Sequence, residues 1–67
     1  MEQLLKELRD AGWAVGVHND YVIDGRAMTF WLLTHRSGLY VKGEAATDRD
    51  ALTICAQEAM RVFAPSP

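Results

Sequence analysis

The chain has 67 residues, with 7 basic and 9 acidic side chains and a formal charge of −2. A chain of about 60 residues buries only about 60% of its unfolded surface, so one small domain with a thin stability margin is expected. The negative balance offers no attraction for polyanions, and the single cysteine excludes an internal disulfide or a cysteine-built zinc site.

Glu2 to Ala11 has the spacing of a short amphipathic helix. Leu4, Leu5, Leu8 and Ala11 recur every three or four residues, with Glu2, Lys6, Glu7, Arg9 and Asp10 on the other side. Glu2 and Lys6 stand in the favourable i,i+4 order, and Gly12 is placed to cap the C-terminus. A helix this short does not persist alone in water, so it must dock. The charged opening interleaved with leucine does not read as a signal peptide. The longest apolar run, Phe30–Leu33, is four residues, too short for a bilayer span. A soluble, cytoplasmic protein with no membrane partner is expected.

From Trp13 the period changes to two. Val15, Val17, Tyr21 and Ile23 alternate with Ala14, Gly16, His18 and Val22, which predicts a strand, with a bulge or break at Asn19-Asp20. Asp24-Gly25 predicts a type I′ hairpin turn, because both central positions need positive φ. A second strand then spans Arg26 to Thr34, a tight turn His35-Arg36-Ser37-Gly38, and a third strand Leu39 to Ala45.

Centring the hairpins on residues 24–25 and 36–37 pairs Ile23 with Arg26, Tyr21 with Met28 and Val17 with Leu32. It also pairs Leu32 with Val41 and Phe30 with Gly43. One face then collects Val15, Val17, Tyr21, Ile23, Met28, Phe30, Leu32, Leu39, Val41 and Ala45, an apolar surface for the helices. Thr47 caps the last helix, with Asp48 and Asp50 at the positive end of its dipole. Leu52, Cys55, Ala56, Ala59, Met60 and Phe63 form its buried stripe, Pro65 stops it, and residues 64–67 are a frayed tail. The predicted class is α+β, in the order α-β-β-β-α. It is a three-stranded antiparallel meander with both helices packed on one face, because short connections leave them little freedom.

The opposite face then carries His18, Val22, Thr29, Trp31, Leu33, Tyr40, Lys42 and Glu44, with His18 across from Trp31 and Leu33 across from Tyr40. An open antiparallel face is ordinarily polar. The aromatic and aliphatic cluster there has two readings. Aromatic cross-strand pairs stabilise any sheet, and such a patch also suits a homodimer or protein-partner interface anchored by Trp31 and Tyr40, with Leu33, His18 and Lys42 around them. A second class, nucleic-acid binding, would draw on Lys6, Arg9, Arg26 and Arg36, against the net charge.

Catalytic, metal and cofactor sites are not expected. His18 with Asp20 offers two ligands where a site needs three or four, and His35 lies apart beside a turn. Cys55 falls on the buried stripe, with no base in reach. No phosphate loop, dinucleotide fingerprint or nucleophile elbow is present.

The element order, with Tyr40-Val41-Lys42-Gly43-Glu44-Ala45-Ala46-Thr47 followed by a helix bearing Ala51, Ala56 and Ala59, resembles the double-stranded RNA-binding domain over almost the whole chain. The resemblance implies the fold. The lysines that the family places at the start of its closing helix are replaced here by Asp48, Arg49 and Asp50, and Asp24-Gly25-Arg26 lacks the Gly-Pro-His character of its minor-groove loop. In size and lack of motifs the chain also looks like the short accessory proteins of phages and prophages, which implies a modulator of a larger host or phage complex.

Overall fold

The computed structural model describes residues 1–63, and of Phe63 the backbone alone. The elements are helix α1 (Glu2–Asp10), strands β1 (Trp13–Ile23), β2 (Arg26–His35) and β3 (Tyr40–Ala45), and helix α2 (Asp48–Phe63). The strands form an antiparallel sheet in the order β1-β2-β3. The α-β-β-β-α meander expected from the sequence is the architecture found. The predicted stop at Pro65 and the tail at 64–67 lie outside the described residues, as does the side chain of Phe63.

Helix α1 places Leu8 in the core with Leu4 and Leu5 packed beside it. Its ion pair is Lys6–Asp10 at 3.0 Å, rather than the expected Glu2–Lys6. The helix ends at a corner closed by His35. The ring's Nε2 lies 3.0 Å from the Ala11 carbonyl, and its Nδ1 accepts from the Ser37 amide at 3.1 Å. Because an amide can only donate, the ring hydrogen belongs on Nε2, where it donates to the orphan carbonyl at the helix end. Gly12, at φ +100°, leaves no room for a side chain here, since a Cβ would lie 2.7 Å from His35 Nε2. Trp13 packs edge-on against the same imidazole, with centroids 4.9 Å apart.

The first turn forms as predicted, with Asp24 at φ 51° and Gly25 at φ 75°. The pairs Ile23–Arg26, Tyr21–Met28 and Val17–Leu32 follow from it. The bulge is at Gly16, between Val15 and Val17, and not at Asn19-Asp20. Without a side chain Gly16 presses onto Leu32, whose Cδ2 would lie 2.9 Å from an added Cβ.

The second turn is one residue longer than predicted. His35 N–H donates to Leu39 O at 2.7 Å and Gly38 N–H to His35 O at 2.8 Å, so Arg36-Ser37-Gly38 is a three-residue loop with Gly38 at φ 98°. Leu39 therefore stays outside β3. Leu33 pairs with Val41 and Trp31 with Gly43, in place of the expected Leu32–Val41 and Phe30–Gly43. A one-residue slip turns every side chain of β3 over relative to β2.

Helix α2 begins as predicted, with the Thr47 hydroxyl accepting from the Asp50 amide at 3.2 Å. Its buried residues are Ala51, Leu52, Cys55, Ala56 and Ala59, whereas Met60, expected on this stripe, is exposed. These are mostly small side chains, and they let the helix lie directly on β3. A Cβ at Gly43 would sit 2.3 Å from the Ala51 carbonyl oxygen and 3.0 Å from the Cys55 amide nitrogen. Leu8, Trp13, Trp31, Leu33, Val41 and the α2 stripe make one core on one side of the sheet. Since β3 pairs with residues 29–34 alone, the far end of the β1–β2 hairpin projects as a two-stranded arm. The long axis is accordingly 42 Å against 22 Å for the other two. Among the described residues no helix is long and apolar enough to cross a membrane.

Candidate functional site

The face that the helices cover is the one the sequence reading left open. Trp31 is 4% exposed and Leu33 1%, both in the core beneath α2, and His18 lies over Trp31 on the same side. Trp31, Leu33 and His18 are therefore not members of an outward patch. The physical reason is the three-residue second turn, which puts Val41, Gly43 and Ala45 on the same side as Trp31 and Leu33. The helix follows the small residues of β3. Tyr40 and Lys42 do face away from the helices and are exposed, Tyr40 at 64%.

The helix-free face is apolar in its own right. Strand alternation and pairing place Val17, Leu32 and Lys42 in one row across it, Asn19, Phe30 and Glu44 in the next, then Tyr21 with Met28 and Ile23 with Arg26. Phe30, Leu32, Met28 and Tyr21 are half-buried by their neighbours, and Val17 and Ile23 are exposed. The Tyr21 hydroxyl donates to the Glu44 carboxylate across the face. From the sequence, Val17, Tyr21, Ile23, Met28, Phe30 and Leu32 are expected beneath the helices. Their grouping on one face is correct, and the side on which the helices sit is reversed.

A polar cluster lies at the covered side, where β1 meets the start of α2. His18 Nε2 is 2.9 Å from Asp48 Oδ1 and 3.9 Å from Asp20 Oδ1. The imidazole is stacked on the Trp31 indole at 3.9 Å and 9°. The buried Thr29 hydroxyl donates to Asp20 Oδ1 at 2.9 Å. Beside His18, the Asp48 carboxyl is held below the usual carboxylate range. The sequence reading had two members of this cluster. Asp48, 30 residues from His18, is the one it missed, although a carboxylate at a helix N-terminus one short connection beyond β3 was the available signal.

Cys55 is fully buried, and its Sγ lies 3.5 Å from the Trp31 carbonyl. Burial pushes the thiol up to about 11. The cationic residues are dispersed. Lys6 is held by Asp10, and Arg36 adjoins Gly12 near the end of α1. Arg26 is at the tip of the arm, the length of β2 away, roughly 30 Å at strand rise. Lys6, Arg9, Arg26 and Arg36 are thus not brought together as one surface.

Comparison with protein-family models, curated proteins and solved structures gives no match.

Proposed function

We propose that this is a non-enzymatic interaction domain that self-associates through its helix-free sheet face. The observation that carries this reading is the contiguous set Val17, Tyr21, Ile23, Met28, Phe30, Leu32 and Tyr40 on a face that neither helix of the described residues covers. Antiparallel sheets with one uncovered side ordinarily alternate apolar-in with polar-out. Here both sides are apolar.

A second copy is the occupant that suits this face. Arg26, Lys42 and Glu44 give it both signs of charge, so two copies related by a two-fold axis can set Lys42 of one against Glu44 of the other. Ten residues along β2 and six along β3, with β1 alongside, give a footprint of roughly 400 Å² in projection. Side-chain relief raises this towards the roughly 800 Å² per partner of a standard interface. An area at the low end supports a reversible dimer rather than an obligate one.

Sedimentation velocity over a concentration series tests the proposal, with Phe30→Lys as the comparison. The native chain should move from monomer towards dimer as concentration rises. The variant should stay monomeric with unchanged circular dichroism and melting, because Phe30 points away from the core. A native chain that remains monomeric up to about 1 mM, or a variant that dimerises equally, overturns self-association.

A further inference from the structure

We propose that His18, Asp20 and Asp48 form a binding site for a divalent transition-metal cation such as Zn²⁺. Each residue offers one ligand atom, and these atoms lie within 4.8 Å of one another. An imidazole nitrogen with two carboxylate oxygens is a borderline donor set, suited to Zn²⁺ or Mn²⁺, with water filling the solvent side. Bonds of about 2.0–2.2 Å put adjacent donors roughly 3 to 3.5 Å apart. The His18–Asp48 separation of 2.9 Å is close to this, and Asp20 at 3.9 Å, an exposed side chain held by one hydrogen bond, closes with a small rotation.

Two further features aim these groups at a common point. His18 is not a free surface rotor, because its ring lies flat on an indole that is itself 4% exposed in the core. Asp20 is oriented by the hydroxyl of Thr29, 5% exposed, in the manner of the outer-shell partners that position metal ligands. The charge balance also favours a cation. Two carboxylates converge on one imidazole nitrogen, and the single proton that nitrogen can carry points in line at only one of them. A divalent ion accepts both carboxylates and the nitrogen lone pair together. It would tie β1 to the start of α2, reinforcing the His18–Asp48 contact between them.

The test is calorimetric titration of chelator-treated protein with Zn²⁺ near neutral pH, alongside His18→Gln, Asp20→Asn and Asp48→Asn, with Asp50→Asn as control. One ion per chain should bind, and each of the three variants should lose about tenfold or more in affinity while Asp50→Asn stays within about twofold. Substoichiometric Mn²⁺ should broaden the NMR signals of residues 18, 20 and 48 and the Trp31 indole N–H, a readout that does not depend on the variants folding. Absence of saturable Zn²⁺ binding below about 1 mM, equal affinity in all the variants, or Mn²⁺ broadening centred on His35 overturns the site.

Discussion

Leu32 and Leu33 are adjacent in one strand and meet opposite fates. Leu33 is sealed between β3 and α2, in a layer where Gly43 and the small residues of α2 bring helix and sheet backbones close together. Leu32, on the other face, is covered only by its neighbours in the sheet, with Gly16 pressed onto it and Lys42 beside it. Composition does not separate the two faces, since both are rich in large apolar residues. What separates them is where the smallest side chains lie. A helix can approach a strand this closely only where no Cβ stands in the way, so Gly43, placed beside Trp31 by the second turn, marks the apolar face that becomes the interior.

Truncating the two leucines puts the largest strain on this comparison. Leu33→Ala removes a fully enclosed side chain and should cost about 2–5 kcal/mol, enough to leave a domain this small largely unfolded at room temperature. Leu32→Ala should cost about 1 kcal/mol or less in the monomer and weaken self-association instead. Urea denaturation at low protein concentration, with sedimentation at high concentration, reads the two effects apart. Equal destabilisation by the two changes would mean that the open face is as enclosed as the other.

The two sheet glycines sharpen the same point at smaller scale. At Gly43 an added Cβ meets the backbone of α2, which cannot turn aside, so Gly43→Ala should cost about 1–3 kcal/mol as the helix is pushed off the strand. At Gly16 the nearest atom is the end of the Leu32 side chain at 2.9 Å, which can rotate away, and the nearest backbone atom, the Leu32 carbonyl oxygen at 3.3 Å, need give only slightly. Gly16→Ala should cost under about 1 kcal/mol. Reversal of that order in urea midpoints would remove Gly43 as the seat of the helix.

Much of this architecture was legible from residue types alone. Asp24-Gly25 admits essentially one turn, and from it the β1–β2 register follows correctly as far as Val17–Leu32, including His18 opposite Trp31; beyond the Gly16 bulge it shifts, and Val15, expected beside Val17, pairs with Leu33 on the covered side. The second turn is ambiguous in sequence. His35-Arg36-Ser37-Gly38 serves a two-residue or a three-residue loop, and Gly38 takes the left-handed position in the longer one. That single residue exchanged the interior for the exterior. The Gly43 signal was present and carries the correct answer, because a glycine inside a strand marks a close approach of another backbone. Asp48 was signalled only in part, as a carboxylate at the start of α2, since its contact with His18 exists only once α2 has folded back across the sheet.

The subtlest probe of the sealed face is its thiol. Cys55 lies on the sheet-facing side of α2 with no exposed surface, and burial raises its pKa from the ordinary 9.0 to about 11. Between those values the unfolded chain releases the thiol proton and the folded chain keeps it, so the native state binds more protons. Stability must then fall as pH rises from 9.0 towards about 11. Below 9.0 the thiol is neutral in both states and contributes no slope. Cys55→Ala removes this term while leaving tyrosine and lysine titration in place, so the difference between the two proteins isolates it. The native chain should lose stability more steeply than the variant across that window in chemical denaturation, and its thiol should react with a disulfide reagent no faster than the chain unfolds. Parallel pH profiles together with rapid labelling would mean that the covered face opens without unfolding, and the contrast between the two sides of the sheet would then be one of degree.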